Sequence, residues 1–423
     1  MMLLRCTIEL FRDGSWVPAA EVRLFGGGRR DDETFLEYVG DYPVEHFGES
    51  GAGAVSMRYP VSFALYEPGH LPAFCVDLMP QGEAWRRRER QLQAAGLPIT
   101  DWNILTHGAG NPVGNLRVAE AVSPEVSPGP GVSRDEIVLR GDGFRDWAEQ
   151  NNIPMRGASD SGGAAPKLLL VADAGGSFHA DGALPDARAA RHYIVKFPRG
   201  RRQRDAQVLA NEAPYLEVLR ALGLRCGAPL VHEDGALFVP RFDRRVADGG
   251  VERWGMESLY ALSGVVEAGA RLSMVDACAG LAAVVDEPHA DIIEFILRDA
   301  AALAMGNPDN HGRNHAVLKP PGGGVCLSPV FDFSPMFLDG DGIRRALRWP
   351  GEQGTHIDWS VVCTLLAPLV PGSLLRPALR SFGERLASLP ALMADCGVEA
   401  ALIEHRARAI DTVSRDLLAV DGG

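Results

Sequence analysis

The chain has 423 residues, too many for one ordinary core; 46% apolar and 23% charged residues fit a globular protein of two or three packed units. Its 42 basic and 55 acidic residues give a formal charge of −13, which argues against a dedicated nucleic-acid surface. Seven scattered cysteines, with no CxxC pair, argue against a zinc site or a disulfide framework.

Met1 to Asp13 mixes Arg5, Cys6 and Glu9 into its apolar residues, so it lacks a signal-peptide core. No apolar run approaches the ~18 residues that span a bilayer. The expectation is a cytoplasmic protein without a membrane partner. Thr7–Phe11 and Glu21–Phe25 alternate apolar and polar residues around the turn signal Asp13-Gly14, which predicts a hairpin. A charged helix is expected around Glu83 to Ala94. Residues 123–131, rich in Pro, Ser and Gly, read as a linker.

A short helical segment near Arg134 to Glu149 precedes two strand signals, Lys167–Ala172 and His192–Phe197. A helix from about Ala206 to Leu222 stops at Gly223, and Leu237–Val239 is another short strand. From about residue 255 the pattern is mostly helical. Asp291 to Met305 is the strongest helix, with Gly306 its stop.

The segment Gly306-Asn307-Pro308-Asp309-Asn310-His311-Gly312-Arg313-Asn314 carries the sharpest chemistry. In phosphoryl transfer a carboxylate accepts the proton of the attacking hydroxyl, and an amide oxygen a few residues on binds magnesium. Asp309 and Asn314 have that spacing; the alternative is a polar turn that needs Pro, Asp, Asn and Gly anyway. Eighteen positions later, Val330-Phe331-Asp332-Phe333 reads as an apolar strand delivering a second magnesium ligand, Asp332, or as a strand-end Asp opening a Ser-Pro turn. Base, amide, strand and carboxylate, in that order, match the magnesium half of a kinase site.

The phosphate half is expected upstream. Lys196 ends an apolar strand where it can contact ATP phosphates, and Glu212, at the start of the regular part of the next helix, is the candidate to hold it. Gly157–Lys167 is a small-residue loop whose N–H groups can approach phosphate oxygens, or a flexible connector. The basic clusters Arg86–Arg90 and Arg199–Arg204 read first as solvated faces and second as contacts for a partner or RNA.

The order Gly-Gly-Ala-x-Pro-Lys, strand-Lys-Phe-Pro, Asn-Glu helix, Arg241-Phe242-Asp243-Arg244, Asn-x-Asp-Asn-His-x-x-Asn and Pro-x-Phe-Asp resembles the HipA family of bacterial toxin kinases. The likeness is strong over about 155–340. Asp77 to Gly82 is more loosely similar to an N-terminal signature of the family. The resemblance implies an α+β fold with a mixed α/β N-terminal half, a protein-kinase-like phosphate-binding lobe, and an all-α C-terminal half, with ATP between the halves. Boundaries are set at 1–125, 126–245 and 246–423. It implies an ATP- and Mg2+-dependent serine/threonine kinase acting on a protein substrate, an aminoacyl-tRNA synthetase in the best-known case. A helix-turn-helix antitoxin is the implied partner, with DNA reached only through it. A small-molecule phosphotransferase and an inactive binding module are the alternatives.

Carried onto this sequence, Gly162, Gly163, Ala164 and Lys167 form the phosphate loop, and Pro240, Arg241 and Phe242 flank the adenine. His311, Arg313 and Phe331 lie beside the nucleotide. The family's autophosphorylated serine position holds Asp160 here: either a neighbouring serine, Ser159 or Ser161, takes the phosphate, or Asp160 supplies a constant negative charge. Pro240 has no N–H, so any hinge hydrogen bond uses its carbonyl or the N–H of Phe242.

Overall fold

The computed structural model describes residues 2–122, 129–150, 165–247, 249–340 and 342–420, the side chains of 149 and 150 excepted. Strands β1 (Met2–Arg12) and β2 (Ser15–Gly26) form the expected hairpin, with Arg12 opposite Ser15. Asp13 and Gly14 both have positive φ (50° and 79°), the conformation a two-residue Asp-Gly turn requires. β3 (Glu33–Tyr38) and β4 (Leu116–Val118) complete a sheet of order β3-β2-β1-β4. Between them lie helices α1 (Tyr42–Glu45), α2 (Ala73–Leu78), α3 (Glu83–Ala94) and α4 (Asp101–Gly108). Asp77 of α2 accepts both the backbone N–H and the hydroxyl of Ser258, at 3.0 and 2.9 Å, so that part of the N-terminal signature has a structural use.

The helical segment expected after the linker is broken into α5 (Arg134–Leu139) and α6 (Asp142–Gln150), because Arg140 turns left-handed at φ 49° before Gly141. β5 (Lys167–Asp173), β6 (Phe178–Ala180) and β7 (Ala189–Lys196) follow, then α7 (Gln203–Ala221), β8 (Val231–Glu233) and β9 (Ala236–Pro240). The five strands order as β6-β5-β7-β9-β8. Next come α8 (Leu259–Leu262), α9 (Met274–Ala282) and α10 (Pro288–Met305). Residues 306–358 are mainly loops and turns with short strands, because Gly, Pro and Asp recur too often there for a helix to propagate. Helices α11 (Trp359–Leu366), α12 (Gly372–Ala387), α13 (Leu389–Asp395) and α14 (Ala400–Leu418) finish the chain.

The chain divides into two compact units, each assembled from separate stretches. The first comprises Met1–Arg201, His232–Val266 and Leu318–Gly324; the second comprises Arg202–Val231, Glu267–Val317 and Val325–Gly423. In the first unit one apolar cluster joins the inward faces of β1 and β2 (Ile8, Leu10, Val22, Leu24) to Phe74, Trp102 and Ile104. A separate cluster joins Leu168, Leu170, Val195 and Phe238 to Ile137, Phe144 and Trp147 of the short helices. The second unit is helix-dominated. Phe295 and Ile296 of α10, Leu375, Leu379 and Phe382 of α12 and Leu417 of α14 are fully buried. Full burial of each such side chain contributes roughly 1.5–3 kcal/mol. Among the described residues no helix is long and apolar enough to cross a membrane.

Candidate active site

Helix α10 begins with a proline in its first turn and ends at Gly306 in the left-handed conformation (φ 81°, ψ 47°). Its last carbonyls would be unpaired in an isolated helix. The guanidinium of Arg406 donates to the carbonyls of Leu303 (2.7 Å) and Ala304 (3.1 Å), and the hydroxyl of Tyr215 donates to Met305 (3.1 Å). A Cβ on Gly306 would meet Phe337 Cδ1 at 2.6 Å and Arg406 Nε at 2.8 Å, so the helix stop is sterically fixed.

The loop that follows is shaped by its own side chains. Asn307 Oδ1 accepts the N–H of Asp309 at 3.3 Å, an Asx turn across Pro308. His311 Nδ1 accepts the N–H of Arg313 at 3.3 Å, and the His311 carbonyl accepts the N–H of Asn314 at 3.0 Å. With Nδ1 an acceptor, a neutral His311 carries its proton on Nε2, which lies 3.5 Å from Asp309 Oδ1. Asn314 Nδ2 donates to the Asp309 carbonyl at 2.9 Å. That bond identifies the nitrogen end of the carboxamide and turns its oxygen the other way. Asp309 and Asn314, paired by spacing in the sequence, are thus joined in one hydrogen-bonded loop.

A residue the sequence reading left without a role, Asn310, anchors this loop. Its carbonyl accepts the N–H groups of Ala346 (2.9 Å) and Leu347 (3.0 Å). Its Nδ2 donates to Asp299 Oδ1 at 2.5 Å, and its Oδ1 faces His315 Nε2 at 2.9 Å. Asp299 sits on the buried side of α10 and also accepts Arg345 (2.7 Å) and Trp349 Nε1 (2.8 Å). Burial, with the positive charge of Arg298 near it, lowers the pKa of His315 to about 3. The ring is therefore neutral, and with Asn310 Oδ1 opposite, its Nε2 is the donor.

Asp332 belongs to the same unit. The strand expected to deliver it is reduced to a single parallel bridge, Cys226 to Val330, because Pro329 and Pro335 limit ladder bonding nearby. Asp332 has φ 53°, in the left-handed region where Asp is better tolerated than most residues. Phe333 beside it is buried, its ring 6.2 Å from that of Tyr215. His311, Arg313 and Phe331 are half-buried, and Glu212 lies on the buried face of α7.

In the first unit, Lys196 is buried at the end of β7 and stands opposite the exposed Lys167 of β5 in the antiparallel register. Pro240 is buried and Phe242 half-buried. The side chain of Arg241 is fully enclosed and committed elsewhere. It donates to Asp243 through Nε (2.9 Å) and Nη2 (2.6 Å), and to Asp181 through Nη1. Asp243 also accepts the Gly114 N–H (2.8 Å) and Arg244 Nη1 (2.7 Å), and His192 Nδ1 lies 3.1 Å from Asp181. Burial opposes charge on both carboxylates, but Arg241 and its neighbours hold them well below the ordinary range. Arg244 is brought down to about 10 by burial and by Arg241. The guanidinium of Arg241 is therefore a structural clasp between Asp181 and Asp243. Ser159, Ser161, Gly162, Gly163 and Ala164 lie outside the described residues.

A family model, the HipA-like C-terminal domain, matches residues 159–401. The chain belongs to the HipA family. Its fold is similar to that of HipA from Shewanella oneidensis MR-1, solved in a toxin–antitoxin complex with HipB and its operator DNA. The TM-score is 0.67 at 20% identity, over 98% of this chain and 96% of that one. The fold is thus α+β and HipA-like. The Helicobacter pylori proinflammatory kinase CtkA is also matched, with a TM-score of 0.40 and 13% identity over 63% of this chain and 96% of that one. No curated protein matches by sequence.

Proposed function

We propose that this HipA-family chain is a magnesium- and ATP-dependent kinase of the toxin type, transferring the γ-phosphate to a protein hydroxyl. The observation that carries the reading is the loop in which Asn314 Nδ2 is bonded to the Asp309 carbonyl, so that a half-exposed carboxylate and an amide group are held together. Asp309 accepts the proton of the acceptor hydroxyl as that oxygen bonds to the γ-phosphorus and the bond to the β-phosphate oxygen breaks. His311 orients the Asp309 carboxylate.

Magnesium suits the donors present, since it takes one or two hard protein oxygens plus phosphates, and the Asn314 amide and the Asp332 carboxylate supply these. When bound, it would neutralise charge on the transferring group. Lys196 positions phosphates, with Gly162, Gly163, Ala164 and Lys167 as the phosphate loop. Pro240 and Phe242 flank the adenine together with the backbone of Arg241, and Arg313 and Phe331 lie beside the nucleotide. Ser159 or Ser161 is the target of self-phosphorylation. By analogy with the Shewanella complex, a helix-turn-helix antitoxin is the partner and DNA is reached through it.

Incubation with γ-labelled ATP and a cell lysate tests the reading. One labelled protein band is expected, and aminoacyl-tRNA synthetases are the first substrates to examine. Label on a small metabolite would replace the protein substrate, and no label anywhere would overturn the kinase assignment. Peptide mapping of the labelled chain locates any phosphate on Ser159 or Ser161.

A further inference from the structure

Helix α10 ends at the Asp309 loop, and a side chain near its beginning grips the segment that leads to Asp332. Asp291, almost fully enclosed, accepts the N–H of Leu327 on Oδ2 (3.0 Å) and Arg225 Nη2 on Oδ1 (2.9 Å). Arg225 Nη1 in turn donates to the carbonyl of the same Leu327 at 2.6 Å. A carboxylate–guanidinium pair therefore closes around both polar groups of one residue. The backbone of Arg225 extends the grip: its carbonyl accepts the N–H of Val330 (2.8 Å), and its own N–H donates to Glu294 Oε1 (2.8 Å).

Three backbone groups between 327 and 330 are thus fixed on Arg225 and Asp291, and Asp332 follows two residues later with its left-handed backbone. A free segment would relax out of that conformation, which persists only where the surroundings over-determine it. The planar fork of arginine reaches the carboxylate and the carbonyl at one set angle, a geometry a lysine ammonium does not reproduce. We propose that Arg225 and Asp291 are positioning residues that hold the Asp332 carboxylate in its metal-binding pose. This rests on the magnesium reading of Asp332 given above.

The test is calorimetric ATP affinity with magnesium and with EDTA, for the wild type and for Arg225→Gln, Arg225→Lys and Asp291→Asn. The ratio of the two affinities isolates the metal-dependent part. Arg225 is 40% exposed, so its replacement leaves no buried void. In Arg225→Gln the ratio is expected to fall about tenfold with EDTA affinity unchanged, and Arg225→Lys to be intermediate. A folded Arg225→Gln whose ratio stays within about twofold of wild type overturns the proposal, leaving the clamp a stability device that only lowers the melting temperature. Should Arg225→Gln not fold, the lysine and Asp291→Asn variants decide by the same ratio. A wild-type chain with no magnesium-dependent gain would overturn the metal reading itself, a result separate from any variant's.

Discussion

Asn314 turns its amide nitrogen onto the carbonyl oxygen of Asp309, 2.9 Å away, so the residue assigned to metal also braces the residue assigned to proton transfer. The two roles are nevertheless separable by substitution. Asp309→Asn is expected to keep magnesium-dependent ATP binding while phosphoryl transfer falls by roughly 10²–10⁴-fold. Calorimetry and a labelled-phosphate assay on the same preparation check it. Near-normal transfer removes Asp309 from the base role.

Asp332→Asn probes the other assignment better than alanine does. Asparagine tolerates the left-handed backbone at φ 53°, so the fold is spared while the charge is lost. ATP affinity in EDTA should be unchanged, and the gain on adding magnesium should be abolished. An unaltered gain excludes Asp332 as a ligand.

The imidazole of His315, half-buried against α10, makes a pH prediction. Its folded pKa of about 3 lies below the ordinary 6.5, so between those values the unfolded chain binds a proton that the folded chain refuses. Its contribution is intact above pH 6.5 and is lost as pH falls, at a limiting slope of about 1.4 kcal/mol per pH unit. Denaturant titrations from pH 7.5 to 4.5 should show a shallower loss in His315→Gln than in the wild type. Identical slopes would refute a ring held neutral by the fold.

Gly306→Ala should lower stability by about 1–3 kcal/mol, since it combines a left-handed backbone with a Cβ pressed on Phe337 and Arg406. Urea midpoints measure this. Because Asp309 hangs from that helix end, transfer should fall even below the melting temperature.

Arg241→Met leaves Asp181 and Asp243 enclosed without their main partner and is expected to cost roughly 3–5 kcal/mol. Arg241→Lys should recover only part of this, because an ammonium cannot reproduce the guanidinium's geometry toward two carboxylates. Equal stability of all three proteins would show that the cluster holds nothing.

What the sequence made legible was local. Asp13-Gly14, the helix stop at Gly306 and the Asn307–Asp309 turn are dictated by neighbours, so turn chemistry alone located the loop. Asn310 was opaque because its partners Asp299, Ala346 and Leu347 come from distant positions, although Asp299, followed by the apolar run to Met305, was a usable signal. Motif position points Arg241 toward a nucleotide, whereas its guanidinium is spent on Asp181 and Asp243. Only two residues apart, Arg241 and Asp243 are close enough in the chain for an arginine and an aspartate to pair. The apolar pair Val330-Phe331 predicts a strand before Asp332, but Pro329 and Pro335 hold that segment to one bridge.

From Asp291 to Met305 helix α10 is a rigid spacer of about 21 Å, at 1.5 Å per residue. One inserted residue would swing one end by about 100° around the axis relative to the other. Asp291, Asp299 and the Gly306 stop could then no longer all face their partners. Natural length variation should therefore gather in the loops around 320–324 and 350–356 and avoid α10, whose residue count is a dimension of the fold as much as any side chain.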